Sequence, residues 1–313
     1  MADERYVVVI GGMNMDICGT PHEKVVDKDS NPGVVSLSIG GVGQNIAQNL
    51  AHLGVPTYLV TVYGDDSNGN AMEASCAAHG IRLDHAARLE DERSSTYLFV
   101  TDEHGEMTMA VNDMGICKRI TPEFLSERLD FINGAAVCLL DANLEAETMD
   151  WIGEHVTAPL FGDTVSTVKA HRFDGIVGAM TALKPNAMEA ETLTGIEVTD
   201  IDSAKQAAAK LLETGLKSVF ISMGVHGILC ADHNGMVAVP AFKTDIVNVN
   251  GAGDSGMAAI TWSYFDDPER SLEEMGRIAQ AASSIALECV RSVPDITPER
   301  IRAKIETGEI LAA

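Results

Sequence analysis

Positive charge is scarce in this sequence of 313 residues: 22 Lys and Arg stand against 46 Asp and Glu, a formal net charge of −24. A surface of that sign repels polyanions, and the basic stripe needed to bind a phosphate backbone is missing, so nucleic acid is not an expected partner. The six cysteines (Cys18, Cys76, Cys117, Cys138, Cys230 and Cys289) form no C-x-x-C pair. Neither a zinc site nor a disulfide framework is expected, and they read as small buried hydrophobes in a reducing compartment. No apolar run is long enough to span a bilayer, and the opening MADERYVVVIGG has neither the long apolar segment nor the cleavage site of a secretory leader. The expectation is a soluble, cytoplasmic protein with no membrane partner. Internal repeats, low-complexity tracts and long flexible linkers are also missing.

What is present is a hydrophobic content of 46%, enough for a large core. Short apolar runs that read as strands (YVVVI at 6–10, YLVTV at 58–62, AAVCLL at 135–140, APLF at 158–161, TAL at 181–183, SVFIS at 218–222) alternate with helical patterns. One such pattern spans 43–53, with Ile46, Leu50 and Leu53 at helical spacing. The alternation predicts an α/β fold, a doubly wound, mostly parallel sheet flanked by helices, with ligands at the carboxyl ends of the strands. TYLFVTDEHGEMTMAV (96–111) instead reads as two strands around an Asp-Glu-His-Gly turn with no helix between them. With the extended GVVSLSI (33–39) it forms an expected small sheet, either a lid or a surface excursion at the sheet edge.

Two glycine-rich stretches carry the chemistry. In NVNGAGDSG (248–256), Gly251, Ala252 and Gly253 precede Asp254, and the pattern that follows starts a helix. Bare backbone before a helix N-terminus gathers N–H groups that attract anions. Asp254 at its edge can accept a proton from an alcohol while the amides stabilise a transferring phosphoryl group. On its own the stretch also reads as an ordinary turn with a capping aspartate. In GGVGQN (40–45), Gly40, Gly41 and Gly43 permit close approach of a ligand, and Asn45 offers donor and acceptor to hydroxyls. Asn14 and Asp16, just after the first strand, suit a polyhydroxyl compound, or serve only the turn.

GGVGQNIAQNLAHLG and NVNGAGDSGMAAIT resemble the two signatures of the ribokinase-like (PfkB) carbohydrate and nucleoside kinases, in the right order, and the resemblance runs to about residue 295. It implies one ribokinase-like domain over 1–313, with a β-sheet lid from segments about 17–39 and 95–113. It further implies transfer of the γ-phosphoryl group of ATP to a primary alcohol, with Asp254 as base and Gly251, Ala252 and Gly253 as anion cradle. KPNAMEAE supplies Asn186 for the nucleotide and Glu189 for Mg2+ through water, and SMGVHG supplies Ser222, Gly224 and Gly227 for the nucleotide. Within the family, DSNPGVVSLSIGGVGQN, SSTYL, VNDMGI and LKPNAMEAETLTGI resemble the pseudouridine-phosphorylating branch more than ribokinases or fructokinases.

That likeness implies ribose contacts from Asn14, Asp16, Gly41 and Asn45, with Ser95, Tyr97, Asn112 and Asp113 on the lid or base side. Asp163, Ser166 and Lys169 follow from FGDTVSTVKAHRF, where Thr164 stands in place of the branch's proline and puts the turn's rigidity in question. Many members have aspartate at the position of Asn248 and respond to K+; asparagine keeps the oxygen and loses the charge. The alternatives are another sugar or nucleoside kinase of the family (ribose, a keto-sugar acid, a purine nucleoside) and, more distantly, a binding regulator without catalysis. A homodimer through the lid is expected, because projecting strand edges need cover.

Overall fold

A computed structural model describes residues 5–102 and 104–311. Its centre is a nine-stranded sheet with the spatial order Gly235–Val239, Ile228–Asp232, Ser218–Ser222, Ala182–Lys184, Leu160–Asp163, Val137–Asp141, Val7–Ile10, Thr57–Val60, Ile81–Arg82. The strands from Ser218–Ser222 to Ile81–Arg82 run parallel. Ile228–Asp232 and Gly235–Val239 form an antiparallel edge that the strand pattern did not predict. The central strands alternate between two cores. Val8, Ile10, Cys138 and Leu140 face one, and Val7, Val9, Val137 and Leu139 face the other. Burial on both faces is why these strands read as continuous apolar runs.

Val7–Ile10 lies between Val137–Asp141 and Thr57–Val60, so the chain leaves it in one direction and returns on its other side. This is the switch point at which a doubly wound sheet opens a crevice beyond its strand ends. Two buried helices back the crevice. Val42–His52 packs against Ala252–Asp266, which in turn packs against Leu272–Leu287. The middle helix is rich in Ala and Gly, and that is what lets it lie between two others.

A second sheet of four strands has the order Gly33–Gly40, Asn14–Pro21, Thr96–Thr101, Met107–Asp113. The expected hairpin and the extended 33–39 segment are both in it. Its other member starts at Asn14, not at about residue 17, so Asn14 and Asp16 sit on this sheet and not at the end of the first strand. Asp102, His104 and Gly105 belong to the expected hairpin turn, with His104 and Glu106 amides donating to Asp102 Oδ1; Glu103 lies outside the described residues. The two faces differ in chemistry. Register places Ser38, Asp16, Tyr97 and Asn112 in one row, and Leu37, Ile17, Leu98 and Val111 in the next on the opposite face. No helix among the described residues is long and apolar enough to cross a membrane.

Candidate functional site

Gly251 begins the helix Ala252–Asp266 in the left-handed region, φ 79°. A Cβ there would collide with the carbonyl oxygen of Ser292, so this glycine is required both by conformation and by space. No side chain caps the helix. The amides of Ala252, Gly253 and Asp254 therefore face the cleft as an anion cradle. Asp254 stands in the first turn and its Oδ2 accepts from Asn45 Nδ2 at 2.8 Å, which ties the two glycine-rich stretches together. Burial pushes the Asp254 carboxyl up to about 7, helped by the charge of Asp163; the Asn45 bond and the Lys184 ammonium pull against it.

Beneath the cradle, Asp141, Asp163 and Lys184 are the last residues of three adjacent parallel strands and are neighbours in register. Lys184 Nζ lies 3.2 Å from Asp163 Oδ2, both side chains under a tenth exposed. Burial alone would lower the lysine's pKa, but the charges of Asp163, Glu189 and Asp254 together with the bond to Asp163 outweigh it and hold the ammonium charged. A Cβ on Gly253 would come within 3.6 Å of Lys184 Nζ, so a fixed cation adjoins the amides.

Asn186 and Glu189 form a reciprocal capping box on the helix Ala187–Thr194. Glu189 is buried, and its Oε2 accepts both from the Asn186 amide (2.8 Å) and from Thr164 Oγ1 (2.6 Å). Thr164 thus anchors its turn through a hydroxyl that proline lacks. The next residue, Val165, has φ 63°, unusual for a β-branched side chain, and the Ser166 amide reaches back to the Thr164 carbonyl. Ser166 makes no side-chain cap on the short helix that follows.

A cavity of about 360 Å³ runs from this cradle between the sheet edge and the helices Ala252–Asp266 and Leu272–Leu287. Val225, Phe242, Ile246 and Leu287 give it apolar walls, while Lys184 and Gly253 stand at its charged end. Ser222, Gly224 and Gly227 line it, and Asn186 bridges to Ser222. Size and polarity suit a nucleotide whose base lies in the slot and whose phosphates reach the cradle.

On the other side of Asp254, Gly41 (φ 99°) begins the helix Val42–His52; a Cβ on it would lie 2.9 Å from Asn14 Oδ1. Asn14 Nδ2 donates to Asp16 Oδ1 at 2.5 Å, and burial raises the Asp16 carboxyl to about 6 against that bond. The lid positions diverge. Asn112 lines a small cavity with Lys169, and Tyr97 is its cross-strand partner. Ser95 is buried with its hydroxyl 3.8 Å from Cys117 Sγ, and Asp113 is exposed beside Arg93 at 3.4 Å. Neither Ser95 nor Asp113 is joined by a hydrogen bond to the other acceptor-side residues. Asn248 spends its amide on the loops, donating to the Val290 carbonyl at 2.9 Å and accepting from the Asn250 amide at 3.0 Å.

Sequence reasoning missed Lys184, Asp141 and Asn143. Asp141 is fully buried; its Oδ2 accepts from the amides of Gly12 and Gly43 and its Oδ1 from that of Asn143, all at 2.8 Å. It pins the root of the strand Asn14–Pro21 to the start of the helix Val42–His52. Burial nonetheless raises its carboxyl above the ordinary value. The available signal was a charged residue closing an apolar strand run, which three successive strands show. Among the described residues no three His, Cys, Asp or Glu converge as a metal cage.

The sequence matches the model for the pfkB family of carbohydrate kinases over residues 4–299. It is 36% identical to a pseudouridine kinase of Escherichia coli (strain K12) over 99% of this chain and 100% of that one. It is 25% identical to a guanosine-inosine kinase of Exiguobacterium acetylicum over 95% of this chain and 98% of the other. The fold superposes on Arabidopsis thaliana ribokinase, solved with ribose and ATP, with a TM-score of 0.84 at 21% identity, covering 97% of this chain and 99% of that one.

Proposed function

The chain belongs to the pfkB family of carbohydrate kinases, phosphotransferases that act on a hydroxyl group, and we propose that it transfers the γ-phosphoryl group of ATP to the 5′-hydroxyl of pseudouridine. The observation that carries the transfer chemistry is the convergence on Asp254. A carboxylate raised to about 7 stands beside open helix-N-terminal amides and a buried lysine, with a nucleotide-sized cavity on one side and hydroxyl-binding groups on the other. Identity to a pseudouridine kinase across the whole length of both chains supports the acceptor.

In this reading the triphosphate lies along Gly251, Ala252 and Gly253 with Lys184 beneath, and Ser222, Gly224 and Gly227 flank the nucleotide. Asn14, Asp16, Gly41 and Asn45 hold the ribose so that its 5′-oxygen meets Asp254, which removes the proton as the bond to phosphorus forms. Asn45 keeps the carboxylate aimed. Phosphoryl transfer depends chiefly on positioning and on charge stabilisation, which the amides and Lys184 supply without reorganising. Asn112 and Lys169 stand on the base side, and Asp163 acts through Lys184. The polar row of the lid sheet closes over the acceptor and excludes water as a competing nucleophile.

Glu189 fits a magnesium role through water, since its two protein hydrogen bonds fall on Oε2 and leave Oε1 to order a hydration shell. Bound with ATP, such an ion would supply charge neutralisation at the triphosphate. Asn248 carries no charge and spends its amide on the Val290 carbonyl and the Asn250 amide, so in this reading K+ is not required. Leu37 and Val111, 63% and 53% exposed on the lid's apolar face, support a homodimer through that sheet. Light scattering checks it: a monomer mass at micromolar concentration removes this part.

The test of function is a panel of acceptors with ATP and Mg2+, namely pseudouridine, uridine, guanosine, ribose and a keto-sugar acid. Pseudouridine is expected to give the highest kcat/KM. A better acceptor elsewhere in the panel moves the chain to another branch of the family, and tight nucleoside binding with no ADP formed removes the catalytic reading.

A further inference from the structure

A cavity of about 230 Å³, separate from the nucleotide slot, is lined by Asn112, Met114, Asn143 and Lys169. It opens beside Gly12, two residues from Asn14. A Cβ on Gly12 would lie 3.1 Å from Asn143 Nδ2 and 3.2 Å from Met114 Cε. Asn143 is 7% exposed, and its backbone is fixed by the bond from its amide to Asp141 Oδ1.

An asparagine side chain can ordinarily turn over and offer either its oxygen or its NH2 to a ligand. This one cannot do so freely. Lys169 Nζ donates to Asn143 Oδ1 at 2.6 Å, and an ammonium has donors only, so the atom facing it must be the amide oxygen. Turning the amide over would set NH2 against NH3+. Nδ2 turns one hydrogen to the Asp141 carboxylate, which holds the amide the same way round, and its second hydrogen is the donor left for the cavity.

We propose that Asn143, its amide locked by Lys169, is a specificity-determining residue that reads a ring carbonyl on the acceptor's base. The site therefore takes a uracil-type base and rejects one carrying an exocyclic amino group at that position. An amino group opposite Nδ2 would set donor against donor and leave both unpaired in a buried site, a mismatch that discriminates far more strongly than a change of size. Lys169 is a positioning residue here, acting through Asn143. This inference rests on the reading that the acceptor is a nucleoside.

The test measures kcat/KM for pseudouridine and for its 2-amino and 4-amino counterparts, at saturating ATP and Mg2+, in the wild-type protein and in Asn143→Asp, Lys169→Met and Lys169→Arg. Each preference is a ratio taken within one protein, so a loss of stability or of turnover cancels. The wild type should prefer pseudouridine over at least one amino counterpart by about 10²-fold or more. Asn143→Asp, which offers acceptors in place of donors, should narrow that preference by about tenfold or more; Lys169→Met, which removes one of the two groups that hold the amide, should narrow it less, while Lys169→Arg, which keeps donors facing the oxygen, preserves it. Equal use of all three nucleosides by the wild type overturns the inference while leaving the kinase assignment intact. So does a wild-type ratio retained in both Asn143→Asp and Lys169→Met, or in whichever of them folds. A wild-type protein that phosphorylates ribose but none of the nucleosides overturns this inference and the pseudouridine assignment together.

Discussion

The two halves of the cleft are built from different materials. The half proposed for the nucleotide uses main chain and hydrocarbon: open amides at Gly251–Asp254, and a slot walled by Val225, Phe242, Ile246 and Leu287. The half proposed for the acceptor uses polar side chains, with Asn14, Asp16, Asn45 and Asn143 brought in from the second sheet, a helix and the turn after a central strand. A triphosphate is the same in every turnover, and a rigid cradle of amides serves it with no side chain to misplace. An acceptor has to be told from its analogues, which takes oriented donors and acceptors and hence groups such as Asp141 and Lys169 to hold them in place.

Substitutions that act on one half and spare the other sharpen this contrast. The largest effect is expected at the point shared by both. Asp254→Asn should lower kcat by about 10²–10⁴ while calorimetry still detects ATP binding, because the amides remain. A variant with near-full turnover would contradict its role as base. Lys184→Met strikes the donor half and leaves the Asp163 carboxylate buried without its cation. It should cost about 3–5 kcal/mol in chemical denaturation and raise the KM for ATP more than that for the acceptor. Asp141→Asn strikes the acceptor half. An amide cannot accept all three of the N–H bonds that Asp141 accepts, and the orphaned donor costs about 1–3 kcal/mol. The acceptor KM should rise about tenfold and the ATP KM stay within about twofold. The smallest effect is expected on exchanging K+ for Na+. With Asn248 bridging its loops directly, initial rates should differ by less than about twofold.

The same contrast explains what could be read from sequence. Gly251–Asp254 and Gly40–Asn45 were legible because glycine signals backbone that a ligand approaches, and the helices that follow both stretches are present. The buried strands announced themselves as apolar runs, but the antiparallel edge at Ile228–Asp232 and Gly235–Val239 did not. A hairpin at a sheet margin differs locally from a parallel strand only in its turn. Asn14 and Asp16 were found as residue types near the end of the first strand, but their place on the second sheet was not, because its strand follows Gly11 and Gly12 almost at once. Glu189 was read as a magnesium residue, with no hint that it also caps a helix and receives the Thr164 hydroxyl. Lys184, Asp141 and Asn143 were missed because their roles come from register between strands far apart in the chain. A charged residue ending one strand is unremarked until its neighbours end in charge as well.

The pH dependence of kcat/KM, measured with pseudouridine in the wild type and in Asp163→Asn, tests the central claim most directly. A base must be deprotonated to act, and burial together with the charge of Asp163 raises Asp254 to about 7. Activity should therefore fall about tenfold per pH unit below an acid limb near pH 7, above the range near 6 where Asp16 titrates, and level off at higher pH. Removing the Asp163 charge should move that limb to lower pH. A profile flat from about pH 5 to 8, or a limb that stays in place when Asp163 is neutralised, would contradict the assignment of Asp254 as the proton acceptor.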